Sequence, residues 1–373
     1  MAGIYIHIPF CKQACSYCNF HFSTALKRKA EIVDAICQEA KQRQAYLEDE
    51  PVETIYFGGG TPSLLSSEEL KKILHDLKQL FNIAQEVEVT LEANPEDLNE
   101  DKLRALKEGG VNRLSIGVQS FHQKDLSFFN RAHNAEQAEK CILLAQDCGF
   151  ENMTIDLIFG AQTTSDQAWQ ENLEKLYALR VPHFSAYSLT LEEKTALNHL
   201  VKTSKTTKVD EEKNWRQYEL LLSTLTEHNY EQYELSNYGK TKTISKHNSA
   251  YWFGKKYLGL GPSAHSFNGS SRQWNVANNL KYIKALKARE KYFELESLNE
   301  VDQYHELLIT RLRTKWGISI KELNQRFSEN IVQHFNRQLA KLNKEWLVKD
   351  SEYLKLTPSS LFQSDEVVRK LMI

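Results

Sequence analysis

Three of the six cysteines in this 373-residue chain lie within eight residues, at Cys11, Cys15 and Cys18. Closely spaced cysteines on one loop are the usual ligands of an iron–sulfur cluster. A four-iron cluster held by three thiolates keeps one iron without a protein ligand. A small molecule can bind there, as it does at the open position of a catalytic zinc ion. The spacing therefore predicts a [4Fe–4S] site with one open iron.

Two histidines flank this cysteine loop, so zinc remains an alternative. A tetrahedral zinc ion takes four ligands, and His7 or His21 would have to supply the fourth. The other cysteines, Cys37, Cys141 and Cys148, are scattered through stretches with a helical pattern. A free cysteine commonly packs as a small hydrophobic side chain, and we interpret these three in that way.

A glycine-rich segment and several polar side chains are further candidate ligand-binding residues. Gly58–Pro62 (GGGTP) follows a strand-like run. A glycine turn exposes backbone N–H groups and lets a ligand approach closely, although this one lacks the lysine and the spacing of a P-loop. The polar side chains near other strand ends, or just after them, are Glu92, Gln119, Arg131 and Asp156.

Short β-type runs that alternate with longer amphipathic runs, up to about residue 190, must position these residues. Six strand–helix units in a row predict a parallel sheet with right-handed crossovers. A closed barrel needs eight units, so we expect an α/β fold with an open, partial (β/α)6 TIM-like barrel. A doubly wound sheet is the alternative. The predicted strands are Gly3–Ile8, Thr54–Phe57, Val87–Leu91, Arg113–Gly117, Met153–Ile158 and Phe184–Ser188.

One rim of such a barrel would collect the candidate residues, because ligands gather at the C-terminal ends of parallel strands. The cysteine loop, the glycine segment, Glu92 and Gln119 would all fall on that rim. Their convergence favours a shared site more strongly than any single motif does.

The chain divides into three predicted regions. Residues 1–190 form the barrel, residues 191–280 a mixed connecting region, and residues 281–373 a C-terminal helical domain. In the last region, helical patterns precede two short strand patterns at 346–350 and 353–356, an order that predicts a winged-helix-like module. Such modules often bind DNA, but a formal net charge of −2 gives the chain no basic surplus for nucleic acid.

The distribution of apolar residues also indicates the cellular compartment. No apolar run approaches the roughly 20 residues of a membrane-spanning helix. The N-terminus lacks the basic lead and long apolar stretch of a signal peptide. We therefore expect a cytoplasmic protein without nucleic-acid partners, for which a peripheral membrane contact remains open.

The cysteine segment resembles the cluster loop of the radical SAM (S-adenosylmethionine) family, including an aromatic residue, Tyr17, directly before the third cysteine. The whole pattern is similar to one branch of that family, the oxygen-independent coproporphyrinogen III oxidase-like group. The strings that carry this resemblance are Tyr5–Cys11, Tyr56–Pro62, Gly117–Phe121, Asp156–Gly160 and Tyr233–Tyr238.

The resemblance implies cofactors and residues for them. A [4Fe–4S] cluster would be held by the three clustered cysteines. Its open iron would chelate SAM, which electron transfer from the cluster cleaves in this family. The positions implied for SAM are Tyr5, Gly59, Gly60, Thr61, Glu92, Gln119, Arg131 and Asp156.

The branch contains two functions. Some members are dehydrogenases that decarboxylate two propionates of coproporphyrinogen III, and the HemW-like members bind haem and hand it to haem proteins. Two features favour the second function. The oxidases carry an additional cysteine two residues after the third one, where this chain has Phe20. They also carry a longer N-terminal extension, whereas this chain starts only ten residues before Cys11.

A third feature is His247–Trp252 (HNSAYW), which matches the His-Asn-x-x-Tyr-Trp string of the HemW-like group. The resemblance implies a haem site at His247, Asn248, Tyr251 and Trp252. A neutral histidine is the commonest axial ligand of haem iron, and Tyr and Trp supply flat apolar surface. Core packing is the alternative interpretation, and His265 is a rival or second ligand.

The sequence thus predicts a cytoplasmic radical SAM haem chaperone with a cluster, SAM and haem as cofactors and haem proteins as acceptors. Whether it is also an enzyme stays open. The alternative function is oxygen-independent coproporphyrinogen III dehydrogenase. A radical SAM methyltransferase or tRNA-modifying enzyme forms a third class, which the near-neutral charge disfavours.

Overall fold

The computed structural model describes residues 2–349 and 352–373 of the chain. Its centre is a run of six parallel strands, and each of the six predicted strands lies within one of them. The strands are β1 (Ala2–Ile8), β2 (Val52–Gly59), β3 (Ile83–Ala93), β4 (Arg113–Gln119), β5 (Met153–Phe159) and β6 (His183–Ser188). The helices between them are α1 (Lys29–Gln42), α2 (Ser67–Leu80), α3 (Glu100–Glu108), α4 (Gln123–Phe128), α5 (Ala135–Asp147) and α6 (Asp166–Ala178).

The order of these strands distinguishes the two predicted folds. They are hydrogen-bonded as β1-β2-β3-β4-β5-β6, in parallel and without a reversal. A doubly wound sheet would reverse its order at a switch point. The partial-barrel prediction is therefore confirmed, and the C-terminal ends of all six strands lie on one rim.

Local sequence explains the helices and the core. In α2, Ser66 accepts a hydrogen bond from the Glu69 backbone N–H at 3.2 Å, and the Glu69 carboxylate accepts one from Ser66 N–H at 2.7 Å. This reciprocal cap satisfies two amide groups that the first turn leaves free. Because helices cover the outer face of the sheet, β4 is buried along its whole length although it contains arginine, serine and glutamine.

The sheet continues on both sides of the six strands through segments that have no simple sequence period. Strand β9 (Lys256–Leu260) pairs in parallel with β1, and β8 (Asn237–Gly239) pairs antiparallel with β6, so that twelve strands of the described residues form one open sheet. The division at 190 and 280 stays a prediction about domains, while the sheet itself crosses both positions. The added elements are α7 (Ala196–Lys202), α8 (Glu211–Leu225), β7 (Glu231–Gln232), β8 (Asn237–Gly239), α9 (Lys246–Trp252), β9 (Lys256–Leu260), β10 (His265–Phe267), β11 (Ser271–Asn275), α10 (Asn279–Ala288) and β12 (Phe293–Ser297).

The C-terminal region is a small module with its own apolar core, formed around Tyr304, Phe335 and Leu354. Helices precede a short hairpin, as predicted, although residue 350 of the predicted first strand lies outside the described residues. No helix in the described ranges is long and apolar enough to cross a membrane. The elements are α11 (Glu300–Arg311), β13 (Ile318–Ser319), α12 (Ile320–Arg326), α13 (Glu329–Leu339), β14 (Leu347–Lys349), β15 (Tyr353–Leu356), α14 (Pro358–Leu361) and α15 (Ser364–Leu371).

Candidate functional site

The cysteine loop leaves β1 and folds over the rim of the barrel. It is fixed at several points, because Cys11 N–H donates to the Ser23 carbonyl at 3.1 Å and Ser16 N–H donates to the Phe129 carbonyl at 3.0 Å. The three clustered cysteines are half-buried and face a cavity of about 750 Å³. Burial raises the pKa of the Cys11 thiol to about 11. A bound metal centre would reverse that preference, since a coordinated thiol loses its proton.

The arrangement of these thiols suits a cluster better than a single ion. Among the described residues, no three His, Cys, Asp or Glu side chains converge closely enough to hold one metal ion. The thiolates of a four-iron cluster bind different irons, so they need not converge on one point. Both candidate zinc histidines are engaged elsewhere: His7 Nε2 donates to the His21 carbonyl at 2.9 Å, and His21 Nε2 contacts Asn279 Oδ1 at 2.8 Å.

Arg131 links the cysteine loop to the sheet. Its Nη1 donates to Cys15 Sγ at 3.1 Å, while Nη2 donates to Asn94 Oδ1 at 2.6 Å and to the Gly117 carbonyl at 2.8 Å. Asn94 in turn donates to Thr61 Oγ1 at 3.3 Å. The guanidinium therefore places a fixed positive charge beside a thiol and ties the loop to the ends of β3 and β4.

The glycine segment lies against the end of β1 because it lacks side chains. A Cβ on Gly60 would stand 2.6 Å from the Phe10 carbonyl oxygen. Gly59 has φ of +104°, and a Cβ there would stand 2.5 Å from the His7 ring. Only glycine adopts such a backbone at low cost, so the segment approaches the cysteine loop as closely as the backbone allows.

Two carboxyl groups and one strained residue complete the cavity floor. Glu92 accepts hydrogen bonds from the Tyr56 hydroxyl at 2.8 Å and from Gly59 N–H at 3.2 Å. Burial raises the pKa of Glu92 to about 7 and that of Asp156 to about 6. Gln119 has φ of +67° at an irregularity in the β4–β5 pairing. A non-glycine residue in this conformation costs free energy and is commonly found at functional sites.

The structure places the HNSAYW segment on α9, behind the barrel wall rather than on this cavity. His247 is only 2% exposed. Its Nδ1 lies 2.8 Å from Thr54 Oγ1, its Nε2 lies 2.9 Å from the Tyr251 hydroxyl, and its ring stacks on Tyr56 at 4.9 Å. Burial lowers the pKa of His247 to about 3, so the imidazole is neutral at physiological pH.

Beyond His247, the segment reaches a second cleft, of about 270 Å³, between the sheet and the C-terminal module. Tyr251 and Trp252 line this cleft, together with residues of β9, β10, α11 and α12. Asn248 is half-buried and is not among the lining residues described. His265 is exposed at the start of β10, where its ring lies 6.2 Å from that of Trp274. The structure therefore does not bring His265 to this cleft.

Comparison with known proteins identifies the family. The radical SAM superfamily model matches residues 5–176, and the HemN C-terminal domain model matches residues 298–362. The heme chaperone HemW of Bacillus subtilis (strain 168) is 34% identical over 357 residues, which are 94% of each chain. The chain belongs to the radical SAM superfamily, in its HemW family. The HemW of Lactococcus lactis (strain IL1403) is 31% identical over 99% of this chain and 97% of the relative.

The fold of this HemW-family chain has also been seen experimentally. The solved structure of coproporphyrinogen III oxidase (HemN) from Escherichia coli superposes with a TM-score of 0.86. At 20% identity it covers 99% of this chain and 89% of that one. The likeness supports the architecture from the barrel to the C-terminal module.

Membership of the radical SAM superfamily implies SAM and an iron–sulfur cluster, and the 750 Å³ cavity contains the side chains that suit them. Tyr5 is not among the cavity-lining residues that the structure describes. Its hydroxyl donates to His7 Nδ1 at 3.2 Å, and its ring stacks on that of Tyr56. The predicted positions that line the cavity are Cys11, Cys15, Cys18, Gly59, Gly60, Thr61, Glu92, Gln119, Arg131 and Asp156.

Other lining residues escaped the sequence argument. Asn94, which accepts a hydrogen bond from Arg131, stands two residues after Glu92. Its position at the end of a predicted strand could have indicated that it belongs to the site. Tyr218 and Phe362 reach the cavity from α8 and from the residue after α14. No local motif marks these two, because only the fold brings residues so distant in sequence to the barrel rim.

Proposed function

We propose that this chain is a haem chaperone that binds haem and passes it to haem proteins, and that it carries a [4Fe–4S] cluster and SAM in its larger cavity. The observation that carries the proposal is the setting of His247. Its buried imidazole is neutral and stands one side chain away from a second cleft that has one aromatic wall. The relatives that span nearly the whole chain are named heme chaperones.

The hydrogen bonds of His247 suit an iron ligand. When Nδ1–H donates to Thr54 Oγ1, Nε2 keeps its lone pair and accepts from the Tyr251 hydroxyl. A partner on the second ring nitrogen fixes the tautomer and orientation of a metal-binding histidine. Haem iron at Nε2 would take the place of the Tyr251 hydroxyl, so Tyr251 must turn aside when haem binds.

The larger cavity supplies the second half of the proposal. Cys11, Cys15 and Cys18 would hold the cluster, and the polar residues of the rim would hold SAM. The chemistry that such a group supplies is one-electron transfer. The chain's own contribution is positional, because Arg131 ties the cysteine loop to the sheet and the glycine segment keeps the backbone close to it.

A haem titration of anaerobically reconstituted protein tests the proposal. The Soret band of the wild type should grow to saturation, and His247→Ala should shift or abolish that band. His265→Ala is the matched control, because it removes an exposed histidine outside the second cleft, and its titration should equal that of the wild type. Absence of saturable binding in the wild type would reject the chaperone function.

Coproporphyrinogen III dehydrogenase is the second candidate, because the whole chain shares the fold of HemN. The 750 Å³ cavity also has aromatic walls, including Tyr187, Tyr218 and Phe362. Phe20 disfavours this function, since it stands where the oxidases carry a further cysteine. Carbon dioxide released from coproporphyrinogen III, with SAM and a reductant under anaerobic conditions, would establish the enzyme, and its absence would leave the chaperone.

The proposed partners follow from the haem-chaperone function. The acceptors are haem proteins, and nucleic acid is not expected as a partner because the net charge is −2. We also propose a cytoplasmic location, where free thiols and a cluster loop persist in the reduced state.

A further inference from the structure

The second cleft combines a flat apolar wall with positive charge. The apolar wall comes from α9, β9 and β10, and the opposite wall comes from α11 and α12 of the C-terminal module. Ligand pockets commonly measure about 300 to 1,000 Å³, so 270 Å³ admits one edge of a large planar ligand rather than all of it. The aromatic side chains of the wall are Tyr251, Trp252, Phe253, Tyr257 and Phe267.

Three arginines line this cleft, against one glutamate among the described residues that line it. Arg272 is fully engaged. It donates from Nε to Glu306 Oε1 at 2.9 Å and from Nη1 to the Tyr257 hydroxyl at 3.2 Å, and its guanidinium lies 5.1 Å from the centre of the Phe267 ring. Its charge is thus neutralised by Glu306, and it acts as part of the wall.

Arg311 and Arg326 are less well paired. The Arg311 side chain is only 15% exposed, and the nearest carboxylate that the structure describes for it is Glu322 at 3.6 Å. Arg326 reaches that same carboxylate group, also at 3.6 Å, and Gln303 Oε1 at 3.5 Å. Two guanidiniums therefore share one distant carboxylate, which leaves a net positive charge beside the aromatic wall.

Burying a cation with such weak partners costs free energy, unless a bound anion pairs with its charge. The Arg311 guanidinium lies 4.9 Å from the centre of the Phe253 ring, which keeps it at the edge of the apolar wall. A planar ligand that covers this wall would therefore bring its rim groups to the arginines. Paired N–H groups of arginine match a carboxylate in geometry and charge.

We propose that Arg311 and Arg326 form a carboxylate-binding subsite for haem, which receives the propionates when the ring edge enters the second cleft. This assignment rests on the proposed haem-chaperone function and adds to it the residues that orient the ligand. His247 then lies behind Tyr251 on the aromatic side of the cleft, and the two arginines lie on the side of the C-terminal module. The cleft thereby distinguishes a carboxylate-bearing porphyrin from an uncharged one.

The test compares haem with haem dimethyl ester, in which both carboxylates are neutral. Each is titrated into anaerobically reconstituted full-length protein and followed at the Soret band. The wild type should bind the ester about tenfold or more weakly, because a hydrogen bond to a charged group has about that effect on an equilibrium. Arg311→Gln and Arg326→Gln should each weaken haem binding by a similar factor, and the double variant should no longer distinguish haem from its ester.

Controls keep the outcomes separate. Arg337→Gln removes an exposed arginine of α13 and should leave the preference for haem over its ester unchanged. Arg311→Lys keeps the positive charge but loses the paired N–H groups, so it should weaken haem binding less than Arg311→Gln does. The Soret position should stay that of the wild type in every arginine variant, since the iron ligand is retained. If the arginine variants bind haem and its ester as the wild type does, the subsite is wrong and the chaperone function stands. If the wild type binds no haem, both proposals fail.

Discussion

The 750 Å³ cavity and the second cleft are built in different ways. In the larger one, the cysteines, the glycines, Glu92 and Gln119 stand at the C-terminal end of a parallel strand or in the loop after it, and they line open space. At the second cleft, the motif histidine lies behind Tyr251, and both of its nitrogens already have partners. The polar groups of the first site come mainly from strand ends and the loops that follow them, whereas the second needs α11 and α12 of the C-terminal module as its opposite wall.

This difference in construction predicts how each site would respond to its ligand. In the larger cavity the three clustered thiols already line the open space. The second cleft requires that Tyr251 give up a hydrogen bond before Nε2 of His247 becomes available. A site that must open suits a carrier that takes up a ligand and later releases it, because the free state retains a competing internal contact.

The largest expected effect separates the two sites completely. Cys15→Ala should remove nearly all iron and sulfide from the reconstituted protein, because a cluster with two remaining thiolates is poorly held. Cys148→Ala, which removes another half-buried free cysteine, should retain both. Haem titration of Cys15→Ala should still saturate, since the second cleft shares no residue with the cysteine loop. Loss of haem binding there would contradict the separation.

A pH series tests the connection between the sheet and the C-terminal module. Glu234 is buried next to this seam, where Leu235 N–H donates to the Arg313 carbonyl at 2.9 Å. Burial raises the pKa of Glu234 from 4.5 to about 7, so the folded state binds its proton more tightly than the unfolded chain does. Its contribution to stability is present below pH 4.5 and is lost as the pH rises through 7.

The size of this effect follows from the shift. Relative to Glu234→Gln, the wild type should lose about 3 kcal/mol of unfolding free energy across that range, measured by urea denaturation at each pH. Glu227→Gln replaces an exposed glutamate and should reproduce the wild-type pH dependence. Parallel curves for the wild type and Glu234→Gln would show that the Glu234 carboxyl does not titrate in this way.

Much of the larger site could be predicted because its residues obey local rules. The cysteine spacing is visible in eight residues, and parallel strands deliver their C-terminal ends to one rim. The predicted strands were correct in place and slightly short; β3 begins at Ile83 rather than Val87. Tyr5 stays a predicted SAM residue. The cavity-lining residues that the structure describes do not include it, and the period of a strand gives a side chain's face but not its depth.

The second cleft could not be predicted because its geometry depends on distant segments. Strand β9 (KYLGL) has no alternation, since its last three residues are all buried. The inward direction of His247 depends on Thr54 of β2 and on Glu88 of β3, whose carboxylate accepts the His247 backbone N–H at 3.0 Å. Arg311 meets Phe253 only because the C-terminal module packs against the sheet.

The next largest effect concerns the hydrogen bond between Thr54 and His247, the proposed iron ligand. Thr54→Val removes the hydrogen bond to His247 Nδ1 while it preserves volume. Loss of such a partner typically lowers metal affinity about 10- to 100-fold, so haem affinity should fall by that order in a Soret titration. Thr90→Val is the matched control on β3, because the buried Thr90 hydroxyl has no hydrogen-bond partner among the described residues. Equal affinities of the two variants would separate Thr54 from haem binding.

The smallest effect tests whether the second cleft must open. Tyr251→Phe removes the hydroxyl that donates to His247 Nε2 and keeps the aromatic wall. Because one hydrogen bond contributes about 0.5–1.5 kcal/mol net, loss of this competing contact should raise haem affinity by roughly two- to tenfold. Trp252→Phe alters the same wall without touching Nε2 and should not raise it. If haem affinity falls in Tyr251→Phe, the hydroxyl stabilises the bound ligand instead, and the second cleft would resemble the larger cavity in being ready for its ligand.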